Sequence, residues 1–577
     1  MVAWHMNSLP IDGPKGLDHL LQGRRWYTHK IFRTCVALAV LLTIPCWLNH
    51  RTNIQVDTET AAFGQFTGNW PEVGKISWKS CHPHPPLNNV DCGDIVVPKD
   101  YFNPRAGTAT IAFARLKSKA SLSKGTVFFN PGGPGGSGKS WIAEINPYYI
   151  RNMVGEEYDI IGFDPRGVGE TVPQTRCFND GNTGSYANFI RNTVLERGYD
   201  VASNMSTAEL RSMLLVKTAE ADALLRTQFE ICRQNMGEEL RYMGTSTVVR
   251  DLDFMSKIFD GTDAPINLYG LSYGSVLGQY LANMLPDRVG RVVIDGVVDA
   301  ESWANQPAYL WHRQWIVNSE ATYDIFFKTC SEAGPSICSI ATVEQEAPDA
   351  IKTRLESFID GLTYQPLSIT NSKHPSILTS GRARKFLIDG IYRPSLWPLV
   401  ATAFAKAMDG DGSAIMDAIG TAGERDLARA AVSCNDQPHF DAPKIEDIVD
   451  EQLYTYQNVS RFIFAVANLE NADFGCQHWS ITPPERFHGP WSHTLKNPIL
   501  ILSNTADPVT PLASGKKVQE QLGNSSRLLV LDGPGHTSIF LPSSCIKEHM
   551  NAYFANGRLP PEGTVCSVDL GPFSSQT

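Results

Sequence analysis

The most informative stretch of the chain is Gly270-Leu271-Ser272-Tyr273-Gly274, because it sets a serine between a strand-like and a helix-like segment. Residues 265–269 before it are typical of a strand, and residues 275–285 after it are typical of a helix. A serine at such a turn has a strained backbone and an exposed hydroxyl, and the flanking glycines let neighbouring backbone approach. The pentapeptide would also fit an ordinary tight turn, so its surroundings decide its meaning.

Two downstream loops carry the acid and the base that a serine nucleophile needs. The apolar run 497–503 reads as a buried strand and leads to Asp507, and the apolar run 527–531 leads to a loop that carries His536. Open α/β sheets place their reactive groups at the carboxyl ends of strands. The chain therefore presents a serine, an acid and a histidine in that order, each just after a predicted strand.

A glycine-rich loop supplies a candidate oxyanion hole. The predicted strand 125–130 runs into Pro131-Gly132-Gly133-Pro134-Gly135-Gly136-Ser137-Gly138. Such a loop can turn backbone N–H groups toward a developing negative charge on oxygen. The N–H of Tyr273, the residue after the serine, would be the second donor. A further predicted strand, 158–163, ends in Asp-Pro-Arg-Gly-Val-Gly.

In this order the motifs resemble the tripeptidyl-aminopeptidase and prolyl-iminopeptidase-like α/β-hydrolase family of serine hydrolases. The shared series is Asn-Pro-Gly-Gly-Pro-Gly, Asp-Pro-Arg-Gly-x-Gly, Gly-x-Ser-Tyr-Gly, Asp-Pro-Val-Thr-Pro and Gly-x-Gly-His, within residues 70 to 573. The resemblance implies an α/β-hydrolase fold, in which a mostly parallel, doubly wound sheet carries a large helical cap insertion. It also implies the roles of five residues: Ser272 as nucleophile, Asp507 as acid, His536 as base, and Gly133 and Tyr273 as oxyanion-hole donors.

The resemblance also implies an activity. Family members remove amino acids or short peptides from free N-termini, and some relatives cleave esters or unusual small amides instead. We expect a serine peptidase that cleaves amide bonds at the N-terminus of peptides through an acyl-enzyme, with no metal or organic cofactor. An esterase or amidase for a small metabolite is the alternative, and an inactive extracellular binding protein on the same fold is a distant one, because all three triad residues are present.

The glycine-rich loop also matches a phosphate-binding P-loop, G-x-x-x-x-G-K-[ST], over residues 133–140. Pro131 and Pro134 remove N–H donors from a loop whose task would be to present them. No strand-end aspartate is convincing as a magnesium ligand, because Asp164 and Asp295 have other interpretations. We therefore treat the match as coincidental.

The predicted hydrolase core is divided into two parts. Residues 75–298 hold the oxyanion loop and the nucleophile, residues 496–573 hold the acid and the base, and residues 299–495 form a mainly helical cap between them. A second excursion, 171–244, also looks helical. Caps of this kind close over a site, exclude water and select substrates.

The cap should hold the specificity groups. An aminopeptidase needs acids for the substrate ammonium. Asp436 is one candidate, because residues 431–436 resemble a recurring segment of the family, and Glu424 and Glu470 are others. Most acids of a helical cap are solvated surface, however. Four aromatic residues could line an apolar pocket, although core packing is the expectation that we prefer: Trp303, Tyr309, Trp311 and Trp315.

The N-terminus differs from the rest of the chain. Residues 1–34 contain positive charges ahead of the apolar run 35–48, and this order predicts a cytoplasmic N-terminus. The run is short for a full span and resembles the hydrophobic region of a signal peptide. A signal anchor, which we prefer, and a cleaved signal peptide both stay open. Either one predicts a lumenal, extracellular or secreted catalytic part, attached to the membrane only if the run is uncleaved.

Composition supports a large globular protein outside the cytoplasm. The chain has 577 residues, a 42% hydrophobic content and a formal net charge of −10 without a basic stripe, which excludes nucleic acid as an expected partner. Three Asn-x-Ser sequons predict glycosylation, at Asn204, Asn458 and Asn524. The oligomeric state stays open.

Cysteine usage points to an oxidising compartment. Apart from the two cysteines in the apolar run, ten remain, and an even number favours disulfides. We predict pairing between cysteines that lie close in sequence: Cys81–Cys92, Cys177–Cys232, Cys330–Cys338, Cys434–Cys476 and Cys545–Cys566. No cysteine–histidine group has the spacing of a zinc site, so we expect no metal.

Overall fold

The computed structural model describes residues 71–81, 89–178, 185–419, 425–466 and 472–574. The predicted N-terminal segments 1–34 and 35–48 lie outside these residues, and so do the candidate acids Glu424 and Glu470. No helix within the described ranges is long and apolar enough to cross a membrane.

A ten-stranded sheet forms the centre of the described chain, in the spatial order β1-β2-β3-β5-β4-β6-β7-β10-β11-β12. The pairs β1/β2, β2/β3 and β3/β5 are antiparallel, and all later pairs of the sheet are parallel. The strands are β1 (Ile76–Lys79), β2 (Val90–Pro98), β3 (Thr108–Leu116), β4 (Thr126–Asn130), β5 (Asp159–Phe163), β6 (Ile266–Leu271), β7 (Val289–Asp295), β8 (Leu367–Ile369), β9 (Ser376–Leu378), β10 (Ile499–Ala506), β11 (Ser526–Pro534) and β12 (Val565–Ser567). Strands β8 and β9 form a separate hairpin.

The parallel strands are buried on both faces, as their continuous apolar sequences predict. In β4, Phe128 packs into one apolar cluster, whereas Val127 and Phe129 pack into another. The register places Asn130 opposite Gly270, and Leu271 and Leu502 opposite Asp295. The carboxyl ends of β4, β6, β7 and β10 therefore meet at one edge of the sheet.

Helices cover both faces of the sheet. Helices of the first part are α1 (Gly138–Ser140), α2 (Pro147–Val154), α3 (Tyr186–Ile190), α4 (Val194–Arg197), α5 (Thr207–Met236), α6 (Thr245–Asp260) and α7 (Tyr273–Met284). The insertion carries α8 (Ala300–Asn305), α9 (His312–Trp315), α10 (Ser319–Ala333), α11 (Pro348–Tyr364), α12 (Ser380–Ile391), α13 (Trp397–Met408), α14 (Ser413–Ile419), α15 (Arg425–Asp436), α16 (Ile445–Asn458) and α17 (Ile463–Val466). The last helices are α18 (Leu512–Leu522) and α19 (Ser544–Asn556).

The excursion 171–244 packs against the insertion. The Gln452 side chain of α16 donates to the Tyr199 hydroxyl at 3.1 Å, and His478 contacts the Asp222 carboxylate of α5 at 2.7 Å. The helical cover of the protein is therefore built from both insertions, although the sequence placed the excursion within the first part of the core.

The described residues contain five disulfides, and they are the five predicted pairs. Within the described ranges, one group of side chains could supply three ligand atoms to a metal ion: Cys545, His549 and Cys566. Its two cysteines are joined to each other, so their sulfurs are not thiolate ligands. The disulfides fit an extracellular or secreted protein.

Candidate active site

Ser272 stands at the turn between β6 and α7, as the sequence predicts. Its backbone has φ 55° and ψ −117°, a strained conformation for a residue other than glycine. Its N–H donates to the Asp295 carbonyl at 2.8 Å. A Cβ on Gly270 would overlap the Gly274 carbonyl oxygen, and one on Gly274 would lie 2.7 Å from the Asn130 carbonyl oxygen. The two glycines of the motif are therefore required by the tight packing of this turn.

The predicted acid and base contact each other. Asp507 follows β10 directly, and His536 lies two residues past β11. The His536 Nδ1 atom is 3.2 Å and 3.1 Å from the two carboxylate oxygens of Asp507, and 3.0 Å from the Thr510 hydroxyl. Both side chains are buried, with Asp507 0% and His536 5% exposed.

Asp507 is held as a carboxylate. Burial alone would raise its pKa, but the charge and hydrogen bond of His536 and the hydrogen bonds of Thr510 hold the pKa below its usual value. It also accepts from the N–H groups of Val509 and Thr537, at 3.0 Å each. A carboxylate only accepts, so Nδ1 must carry the proton, and Nε2 is left as the basic nitrogen. Nε2 is buried and has no hydrogen-bond partner among the described residues.

Asp295 connects the nucleophile turn to the histidine loop, a role that the sequence analysis missed. Its carbonyl binds the Ser272 N–H, and its carboxylate accepts from the Ser538 N–H at 2.9 Å and the Ser538 hydroxyl at 2.7 Å. At the next residue, a Cβ on Gly296 would lie 3.4 Å from His536 Cε1. Burial raises the pKa of Asp295 to about 6. Its place at the end of β7 was the signal available in the sequence.

The glycine-rich loop passes directly against Ser272. Gly132 and Gly133 have φ of 89° and 115°, values that favour glycine. A Cβ on Gly132 would lie 2.8 Å from the Ser272 Cβ and 3.0 Å from the Tyr273 nitrogen. The Gly132 N–H is bound to the Asn130 side chain at 2.9 Å. The next N–H along the loop is that of Gly133, and Tyr273 lies in the first turn of α7, where N–H groups have no intrahelical acceptor.

The residues of the P-loop match have other contacts. The Lys139 ammonium is paired with the Glu170 carboxylate, and the Lys139 N–H donates to Asp164 at 3.2 Å. A Cβ on Gly138 would lie 2.5 Å from the Phe163 carbonyl oxygen, so this part of the loop is packed onto the sheet. These contacts account for the motif as part of the hydrolase core.

Asp436 is buried behind Tyr273. Its carboxylate accepts from the Thr245 N–H at 2.8 Å, the Thr245 hydroxyl at 2.5 Å and the Trp303 indole at 2.8 Å. The Thr245 hydroxyl in turn lies 2.6 Å from the Tyr273 hydroxyl. Burial raises the pKa of Asp436 to about 6. Through Thr245, Asp436 thus helps to hold Tyr273, the residue that follows Ser272. The Asp436 carboxylate already accepts hydrogen bonds from three donors.

The four cap aromatics take two different positions. Trp303, Trp311 and Trp315 form a buried stack with ring centroids 4.5 Å and 5.0 Å apart along it, and Trp303 also lies 5.7 Å from the Tyr273 ring. Tyr309 is only partly buried and pairs with Phe440 at 6.3 Å. Core packing, the preferred expectation, therefore holds for the three tryptophans.

Two family models match the chain. The model described as "TAP-like protein" matches residues 462–566, and the model described as "alpha/beta hydrolase fold" matches residues 125–326. Both matches support the TAP-like α/β-hydrolase family for this chain. The matched regions include Ser272, Asp507 and His536.

The relatives that the chain resembles include proteins named as peptidases and as an esterase. The chain is 26% identical over 516 residues to "Serine protease Hip1" of Mycobacterium tuberculosis, covering 86% of this chain and 92% of the relative. It is 24% identical over 524 residues to "Tripeptidyl aminopeptidase" of Streptomyces lividans, covering 86% and 87%. It is 25% identical over 526 residues to "Carboxylesterase B" of Mycobacterium tuberculosis, covering 88% and 93%. Together with the fold, these relatives establish the chain as a hydrolase.

Proposed function

We propose that this hydrolase is a serine peptidase that cleaves amide bonds at the N-terminus of peptides, with Ser272 as nucleophile, His536 as base and Asp507 as acid. The observation that carries the proposal is the His536 ring, whose Nδ1 is bound to Asp507 while Nε2 has no partner among the described residues. That is the arrangement in which an imidazole can take a proton from a neighbouring hydroxyl.

The reaction has two acyl-transfer steps. His536 takes the Ser272 proton as the hydroxyl oxygen attacks the substrate carbonyl carbon, and then gives that proton to the leaving amine. Water hydrolyses the resulting acyl-enzyme with His536 again as base. Asp507 keeps the ring in one tautomer and stabilises its charged form. The amino-acid side chains of the site provide all of these functions.

The oxyanion of each tetrahedral intermediate would accept from the N–H groups of Gly133 and Tyr273. Both belong to segments that pack against Ser272, and the start of α7 adds the positive end of a helix dipole. Preorganised donors of this kind are worth several kcal/mol, on the order of a hundredfold or more in kcat each.

The cap, residues 299–495, would close over the core parts 75–298 and 496–573 and select the substrate. Asp436 can bind a substrate ammonium only by exchanging one of its three donors, which makes it a positioning group first. An esterase or amidase for a small metabolite is the second candidate, and the similarity to a carboxylesterase favours it.

We also propose a location and modifications. Residues 35–48 would act as a signal anchor or signal peptide, which would place the catalytic part outside the cytoplasm. Asn204, Asn458 and Asn524 would carry glycans, because all three side chains are exposed.

Hydrolysis of a mixed panel by the purified full chain tests the function. The panel contains aminoacyl and tripeptidyl amides with free N-termini, the same peptides with blocked N-termini, and short-chain esters. We expect cleavage of the free-N-terminus amides alone and loss of that turnover in Ser272→Ala with the fold retained. Ester cleavage without amide cleavage would move the assignment to the esterase, and turnover by Ser272→Ala would remove the nucleophile assignment.

A further inference from the structure

The Arg429 side chain of cap helix α15 reaches the glycine-rich loop of the core. Its Nη1 donates to the Gly133 carbonyl oxygen at 2.6 Å. Its Nε and Nη2 bind the Asp473 carboxylate at 2.7 Å and 2.5 Å. Both members of this ion pair are buried: Arg429 is 8% exposed and Asp473 is 3% exposed.

The carboxylate that holds Arg429 is itself fixed. Its other oxygen accepts from the Ser433 hydroxyl, one turn further along α15. The Cys434–Cys476 disulfide ties α15 to the short 3₁₀ helix that carries Asp473. Arg429 is therefore anchored from the cap side and has one donor directed at the core loop.

Arg429 also lies near the base. Burial raises the pKa of the Tyr392 phenol, and the positive charge of Arg429 acts against that rise. The centroids of the Tyr392 and His536 rings are 5.8 Å apart. The backbone N–H of His536 also donates to the backbone carbonyl of Tyr392 at 2.9 Å. The guanidinium thus binds the glycine-rich loop and acts electrostatically on Tyr392, whose backbone carbonyl binds the histidine loop.

We propose that Arg429 is a positioning residue that holds the oxyanion hole in its active geometry and makes this geometry depend on a docked cap. The inference rests on the proposed function of Gly133 as an oxyanion donor. A charged, buried donor on the Gly133 carbonyl restricts rotation about a glycine that has φ 115° and no side chain to restrain it. If the cap moves away, this bond is lost and the Gly133 N–H loses its fixed direction.

The magnitude follows from how sensitive such sites are to geometry. A displacement of about 1 Å in a catalytic group can cost on the order of a hundredfold in rate. Because the donor would be misdirected rather than removed, we expect a loss of about 10- to 100-fold in kcat in Arg429→Met. KM should change by less than about threefold, because the bond acts on the transition state and not on substrate binding.

Arg384 provides a matched control. It also lies in the cap, is about as buried, and donates to a backbone carbonyl, that of Val201, and to a carboxylate, that of Asp360, at 2.5 Å and 2.6 Å. None of its partners belongs to the site. Arg384→Met therefore removes the same kinds of bond without touching the oxyanion loop.

The test is the rate at which a fluorophosphonate probe labels the full-length protein. Ser272 Oγ attacks phosphorus, the P–F bond breaks, fluoride leaves and His536 takes the proton, while the phosphoryl oxygen occupies the oxyanion hole. This reaction requires the serine and the oxyanion hole whether the natural substrate is an amide or an ester. We expect labelling to slow by about 10- to 100-fold in Arg429→Met and by less than twofold in Arg384→Met.

Each result decides one question. Equal labelling rates in folded Arg429→Met and wild type would overturn the inference. So would steady-state kinetics on a substrate in which Arg429→Met changes KM but not kcat. A wild-type protein that does not react at all would instead reject Ser272 as a nucleophile and with it the proposed function. If Arg429→Met does not fold, Asp473→Asn replaces it, because it keeps Arg429 but weakens its anchor. Labelling slowed in that variant supports the inference, and an unchanged rate overturns it.

Discussion

Gly132 lies in a space that is too small for any side chain. Its φ is 89°, and a Cβ there would overlap the Leu271 carbonyl oxygen and lie 2.8 Å from the Ser272 Cβ. The obstructing atoms belong to the backbone and to Ser272 Cβ, so no flexible side chain can move aside. The glycine-rich loop and the turn at Ser272 fit together only because Gly132 has no side chain.

We predict that Gly132→Ala lowers kcat by about a hundredfold or more, because the loop must move away from Ser272 to admit the methyl group. Steady-state kinetics on the substrate found in the panel would measure this loss. KM should change little, since the displaced groups act on the transition state.

Gly155 is the control for this substitution. Its φ of 93° is nearly the same, but a Cβ there would meet nothing within 4 Å. Gly155→Ala should cost only the strain of a positive φ with extended ψ, about 1 to 3 kcal/mol of stability, and leave kcat unchanged. An equal loss of kcat in both variants would mean that strain, and not the clash with the elbow, limits activity.

At the residue scale, the sequence predicted the groups that lie in recognisable motifs. Ser272, Asp507 and His536 each follow a strand, and the structure places all three at the same sheet edge. Asp295 and Arg429 were missed, because their roles depend on partners that are distant in sequence. Arg429 contacts Gly133 across 296 positions, and no local pattern records such a pair.

At the element scale, the strands were predicted more accurately than the cap helices. Strand β6 begins one residue from the predicted start, because a buried parallel strand is a continuous apolar run. The predicted helical cap 299–495 is broken at points that its prediction did not locate. Pro307 lies in the break between α8 and α9, and Gly410, which has φ 98°, lies in the break between α13 and α14. Apolar periodicity survives such breaks, so it does not locate them.

Removal of the Cys434–Cys476 disulfide tests how α15 and the segment that carries Asp473 hold each other in place. The disulfide joins α15 to the segment that carries Asp473, across 42 positions. Replacing both cysteines by serine should lower the free energy of unfolding by about 3 to 4 kcal/mol and also slow labelling by the fluorophosphonate, because the anchor of Arg429 loosens. Denaturant unfolding and the labelling rate measure the two effects.

The Cys330–Cys338 bridge is the matched comparison. It lies in the cap and closes a loop of only 8 positions, so its removal should cost about 2 to 3 kcal/mol. Labelling should stay at the wild-type rate, because this bridge does not touch α15 or the segment that carries Asp473. If both pairs of replacements slow labelling equally, general loosening of the cap would explain the loss.

At the scale of the whole molecule, the chain buries several acids in its interior. Burial raises the pKa of three of them to about 6: Asp164, Asp295 and Asp436. Each accepts hydrogen bonds from hydroxyl and N–H groups. Asp295, for example, connects the turn at Ser272 to the loop that carries His536. The fold therefore carries a set of carboxyl groups that take up protons more readily than the unfolded chain does.

This set makes stability depend on pH. Between the unfolded pKa of 3.8 and the folded value of about 6, the folded protein binds more protons, so the free energy of unfolding rises as pH falls through this window. From pH 7.5 to pH 5 each acid contributes about 1 kcal/mol. Asp507, with its lowered pKa, acts in the opposite direction only below about pH 4.

We predict that Asp436→Asn is less stable than wild type at both pH 7.5 and pH 5. The difference in its free energy of unfolding between these two pH values, measured by urea unfolding, should be smaller than that of wild type by about 1 kcal/mol. An unchanged difference would show that Asp436 is ionised in the folded protein throughout this range.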